Sequence, residues 1–168
     1  LAEVTLAAKA LEVRHLGGPT ASLALGEALA AAVLISQDAA TADEAVMLRL
    51  TVAGPLRGLV AEATGDGGLR GFTHAKVLNE LDGRAVISTD EAWGDSGSVQ
   101  IATTRPGVIL NQAALNVKPL RMRFILARYF NASMQVPTAV DVFASADASG
   151  VVRVAAALAQ RMVDTKPD

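Results

Sequence analysis

"VMLRLTVAGPLRGLVAEATGDGGLRGF", residues 46–72, is the stretch on which the fold class turns. Residues 46–52 alternate apolar and polar side chains, the period of a strand with one buried face. "AGP" at 53–55 makes a turn, and 56–64 reads as a second strand. "GDGG" at 65–68 contains Asp66-Gly67, a pair suited to the positive φ angles of a hairpin turn, and 69–77 reads as a third strand. Three strands joined by short turns give an antiparallel meander.

Upstream the pattern is helical. Residues 2–14 are alanine-rich with apolar residues at helical spacing, and "GGPT" at 17–20 stops them. "ASLALGEALAAAVLIS" at 21–36 is the strongest helix signal, with Leu23, Leu29, Val33 and Leu34 near one side. Gly26 inside it costs roughly 1 kcal/mol against alanine, which points to close packing against another backbone. Downstream, "GRAVISTD" at 83–90 reads as a fourth strand, "WGDSGS" at 93–98 as a loop holding Trp93, and 99–104 as a fifth strand. In 118–131, Met122, Leu126, Tyr129 and Phe130 form one apolar helical stripe, and 138–144 reads as a sixth strand. Residues 151–163 have helix-like composition, but Val151, Val152 and Val154 favour a strand. The expected fold is α+β, with antiparallel sheets packed against helices in a single compact core domain spanning 1–168.

Bulk properties restrict the function. A chain of 168 residues can bury a core without staples. Of its apolar residues 33 are alanine, which adds helix propensity and little apolar area. The longest uninterrupted apolar run, 28–35, is too short to span a bilayer, and no signal-peptide pattern opens the chain. A net charge of -2 argues against broad binding to nucleic acid or anionic membrane. The absence of cysteine excludes disulfides, thiolate zinc sites and cysteine nucleophiles.

Individual motifs carry little chemistry. "GDSGS" at 94–98 resembles the nucleophile loop of trypsin-like proteases, with Ser96 as nucleophile, but that chemistry needs a histidine base and an orienting acid. Only His15 and His74 are available, and neither lies in the sequence setting of that family. "GDGGLRG" at 65–71 lacks the lysine and hydroxyl of a P-loop. Glu27, Glu62 and Glu80 are isolated carboxylates with no pairing visible in the sequence. Lys118, Arg121, Arg123 and Arg128 make 118–130 basic; a solvated face opposite the apolar stripe accounts for them better than a membrane-binding helix does. No catalytic, cofactor-binding, metal-binding or client-binding residue is assigned.

Several segments taken in order resemble the redox-regulated 33 kDa chaperonin (heat-shock protein 33) family in its amino-terminal core. These are "LGEALAAAVLIS" (25–36), the strand pair within 48–72 with Gly54-Pro55 at its turn, "GRAVIS" (83–88), then Tyr129-Phe130, Ser133 and Pro137-Thr138, and "ALAQRMV" (157–163). The resemblance implies that Tyr129 and Phe130 close a helix onto the sheets, that Pro137 delivers the chain into the strand at 138, and that the C-terminal segment is a strand. It further implies a cytoplasmic, ATP-independent holdase chaperone that binds unfolded clients and forms a homodimer, and not an enzyme. Full-length members carry a zinc-binding redox switch built from cysteines. With no cysteine here and Asp168 falling where a core domain would end, the chain is expected to be a core without that zinc domain, or a divergent member without the switch. An interaction module on the same fold is the alternative function, and a serine hydrolase using Ser96 a remote third.

Overall fold

The computed structural model describes residues 1–161. Its elements are β1 (Ala2–Glu3), α1 (Thr5–His15), α2 (Pro19–Ser36), β2 (Ala45–Val52), β3 (Gly58–Thr64), β4 (Leu69–Thr73), the one-turn helices α3 (Asn79–Asp82) and α4 (Asp90–Trp93), β5 (Gly97–Arg105), β6 (Val108–Asn116), α5 (Met122–Arg128), a π turn (Tyr129–Ser133), β7 (Thr138–Asp147) and β8 (Gly150–Gln160). The strands form two antiparallel sheets, β4-β3-β2-β5-β6 and β1-β8-β7. This is the α+β architecture expected, with the meander as β2-β3-β4.

The alternation in 46–52 sets the register. Val46, Leu48, Leu50 and Val52 face inward, while Arg49 and Thr51 face solvent. Leu48 lies opposite Ala61 and Ile101, and Leu50 opposite Leu59 and Val99, so each inward row meets apolar neighbours on both sides. Each fully buried leucine in these rows contributes about 1.5–3 kcal/mol.

Helix α2 lies between the two sheets, packed on β2, β3 and β4 on one side and on β7 and β8 on the other. That placement explains a helix buried on nearly every side rather than on the single face expected. It is long and apolar enough by length and composition to cross a bilayer, although most of it is buried inside the protein. A Cβ on Gly26 would meet Val154 Cγ2 at 2.8 Å, so the close neighbour is a β8 side chain and not another backbone. The start of α2 has no side-chain cap of its own. Asp82 supplies one from α3, accepting from Thr20 N at 2.9 Å and from Leu78 N at 2.7 Å.

Four readings of the sequence are corrected. Residues 83–90 form no strand; 83–89 are irregular after α3 and Asp90 opens α4, with Ile87 and Thr89 buried as pins and Arg84 to Val86 exposed. Ile87 and Thr89 anchor the segment against the core and pair with no ladder, while Val86 faces solvent. Trp93 is in α4, not in a loop, and is only 1% exposed. Helix α5 starts at Met122, where Arg121 stands before it in extended geometry as N-cap; Pro119 disfavours helical geometry at Lys118. A whole strand, β6, goes unread in the sequence; it is joined to β5 by Pro106-Gly107, with Gly107 at φ 78° as the turn requires. The resemblance-based strand at the C-terminus is present as β8 through Gln160; Met162 and Val163 lie outside the described residues.

The Tyr129-Phe130 segment closes as expected but by a device the sequence did not reveal. Both rings are buried and meet edge-on, 5.4 Å between centroids. The helix widens after Arg128, and Met134 N reaches back to Tyr129 O at 3.0 Å. Asn131 then fastens the turn to β7: its amide donates to Ala127 O (2.8 Å) and Thr138 O (2.9 Å), and its carbonyl accepts from Thr138 N (3.0 Å). Replacing Asn131 with alanine removes all three bonds and is expected to lower the unfolding free energy by roughly 1–3 kcal/mol, read as a lowered urea midpoint. Asn131→Asp should not rescue it, since a carboxylate would face two carbonyl oxygens.

Candidate functional site

The loop after Trp93 is structural. Ala53 N donates to Ser96 O at 3.0 Å, Gly54 N to Trp93 O at 3.1 Å and Leu56 N to Ala92 O at 3.2 Å, which laces the β2–β3 turn to 92–96. A Cβ on Gly54 would lie 2.3 Å from Ala92 O, so only glycine fits this lacing. Ser96 is exposed, and among the described residues no hydrogen bond joins its hydroxyl to a histidine. His15 lines a surface cleft with Glu62, Arg70 and Phe72, while His74, just past β4, stacks on Phe72 with ring centroids 5.9 Å apart. "GDGG" is the β3–β4 hairpin, closed by Thr64 N to Gly68 O at 2.9 Å.

Of the three carboxylates, Glu62 pairs with Arg70 across the β3–β4 ladder at 2.7 Å, and Glu80 is exposed on α3. Glu27 is different. It projects from α2 into a cavity of about 280 Å³ shared with Thr89, Asp90, Arg121 and Arg123. Its carboxylate accepts from Thr89 Oγ1 at 3.0 Å and from Trp93 Nε1 at 3.2 Å, both neutral donors. Arg121, whose charge acts on Glu27, is paired with Asp90 at 2.6 Å. Burial outweighs these hydrogen bonds and pushes Glu27 up to about 7. Arg121 therefore leaves the basic face read from the sequence, whereas Lys118, Arg123 and Arg128 remain exposed there, Arg123 over the Phe124 ring at 4.8 Å.

A second feature lies at the sheet border. Strand edges are points of intermolecular pairing unless short, charged or covered. β1 has two residues, β4 has five and carries Arg70, and β7 carries Asp141 and Asp147. β6 has nine residues without a charge, "VILNQAALN", and among the described residues pairs only with β5. At its start Val108, Ile109 and Leu110 are 56%, 64% and 45% exposed. Beside them a cavity of about 170 Å³ runs beneath the π turn, lined by Ile35, Val46, Leu110, Tyr129, Phe130 and Met134. Asp38 and Glu44 also line it. Arg105 holds Glu44 at 2.5 Å and keeps its carboxyl below the usual range, whereas Asp38 is exposed. Burial, with the Asp38 charge nearby, raises the Tyr129 phenol.

Comparison with known proteins agrees with this architecture. The family model described as Hsp33 protein matches residues 1–168. A 33 kDa chaperonin of Thermus thermophilus is 31% identical over 166 residues, covering 96% of this chain and 48% of that protein. One from Microcystis aeruginosa is 27% identical over 135 residues, covering 77% of this chain and 44% of its own length. The crystal structure of the 33 kDa chaperonin of Thermotoga maritima superposes with a TM-score of 0.68 at 27% identity, covering 88% of this chain and 50% of the other. The chain thus spans about half the length of the curated relatives it matches. Those relatives are chaperonins rather than enzymes, so the Ser96 hydrolase reading is set aside. With its fold, its order of segments and a match along its whole length in agreement, this chain belongs to the Hsp33 family.

Proposed function

We propose that the chain is a holdase chaperone that binds unfolded polypeptide without ATP. The observation that supports this best is the uncharged outer strand β6 with its exposed aliphatic start, an arrangement a monomer ordinarily protects. Family membership supports the same reading. A homodimer, a cytoplasmic setting and independence from a zinc-held redox switch complete it; in a chain with no cysteine, client binding would be open in reducing conditions.

Light scattering of a chemically unfolded client diluted with and without this chain, under reducing conditions and without nucleotide, tests the proposal. Suppressed aggregation at near-stoichiometric ratios is the expected result. Unchanged aggregation across a tenfold excess would overturn it and favour a dedicated interaction module. Light-scattering mass across micromolar concentrations tests the dimer, with a strict monomer the contrary result.

A further inference from the structure

We propose that the cleft between the start of β6 and the π turn takes one large apolar side chain of an extended client segment, whose backbone pairs with β6 and whose neighbouring basic residue faces Asp38. The inference rests on the holdase reading and deepens it by giving the client a place and a chemistry.

Three observations carry it. First, β6 is an edge strand whose outer backbone groups have no ladder partner among the described residues, the geometry of strand addition, in which alternate side chains enter pockets. Second, the cleft adjoins that row, because Leu110 and Asn111 of β6 form one wall. Its volume of about 170 Å³ suits a single large side chain; a cavity of about 150 Å³ already holds a benzene-sized group. Tyr129 and Phe130 make a rigid floor and Met134 an adaptable lip, a combination that tolerates many apolar shapes. Third, the charge at the mouth has one sign. Glu44 is satisfied by Arg105, which leaves Asp38 as the exposed carboxylate lining the cleft, so a basic flank is favoured and an acidic one repelled. The π turn belongs to the same design: the extra residue it accommodates sets Met134 across from Asn111, with Asn111 Nδ2 3.8 Å from Met134 Sδ.

The test uses two fluorescent ten-residue peptides with the same leucine-valine core, one flanked by lysines and one by glutamates, titrated against the whole chain by anisotropy. The lysine-flanked peptide should bind roughly 1.5-fold to fivefold more tightly, the range of one partly exposed charge pair. Asp38→Lys, a surface change, should reverse that order. Leu110→Asp should weaken both peptides by tenfold or more, whereas Val86→Lys, at an exposed apolar residue on a different segment, should change neither. Circular dichroism of each variant confirms the fold. Binding that ignores Asp38→Lys and Leu110→Asp overturns the cleft while leaving the holdase reading in place, as does aggregation suppression without peptide binding. Loss of both peptide binding and suppression in the unsubstituted chain overturns both. A dimer that Ile109→Lys converts to monomer, with peptide binding unchanged, would give β6 to a second copy and overturn the assignment.

Discussion

Trp93→Ala should lower the unfolding free energy by about 3–5 kcal/mol, the range for deleting a large buried aromatic side chain. Trp93 is the largest fully buried side chain in the protein, and its replacement leaves a cavity against α2. The loss extends beyond packing. The indole N–H that supports the Glu27 carboxylate disappears, and the backbone of residues 92–96 that holds the β2–β3 turn loses its anchor. Trp93→Phe divides these contributions: it keeps one six-membered ring, loses the five-membered ring together with its donor, and should cost about 1–3 kcal/mol. Urea unfolding of both variants checks the difference. Equal losses would mean that the five-membered ring and its hydrogen bond to Glu27, rather than the six-membered ring, dominate.

The second large effect is a dependence of stability on pH with an unusual sign. Glu27 stands at about 7 in the folded protein, against 4.5 in the unfolded chain. Below about pH 4.5 both states carry the proton and Glu27 adds no penalty. Between 4.5 and 7 the unfolded chain releases its proton while the folded protein retains it, so stability falls as pH rises. Above pH 7 the penalty is constant at about 3 kcal/mol, from about 1.4 kcal/mol for each unit of displacement. The carboxyl groups held low, including Glu44, Asp66, Glu91 and Asp147, act in the opposite sense and below this window. Urea midpoints between pH 5 and pH 8 should therefore decline in the unsubstituted chain and flatten in Glu27→Gln, which should be the more stable variant at pH 8 and nearly neutral at pH 5. The protein's single tryptophan donates to the same carboxylate, so its emission should change with a midpoint near pH 7 and lose that transition in Glu27→Gln. A stability slope that persists in Glu27→Gln would assign it to another group.

What the sequence showed of the fold follows from the range of the forces involved. The meander was readable because alternation and Asp66-Gly67 act over a few residues. β6 escaped because its exposed faces leave no alternation to see, although Pro106-Gly107 marked the hairpin before it. The segment 83–90 misled because valine, isoleucine and threonine favour strands, and only the three-dimensional setting turns Ile87 and Thr89 into anchors. Glu27 looked isolated for a similar reason: Thr89 and Trp93 are 62 and 66 positions away. The pairing of Asn131 with Thr138 lay within seven residues, but nothing in that spacing signals a π turn. The cleft beneath that turn draws on α2, β2, β6 and the Tyr129-Phe130 pair, and no local pattern could assemble it.

The pairing of β1 with β8 bears on how the protein is made. Ala2 is partnered by Ala156 and Glu3 by Ala155, so the first strand waits for the last before either is complete. During synthesis from the amino terminus, α2 emerges well before β8, and the surface it offers to Val154 stays uncovered until residue 154 has left the ribosome. A protein read as a guardian of unfinished chains would itself be one from the making of α2 to the making of β8, with a sticky helix in need of shelter.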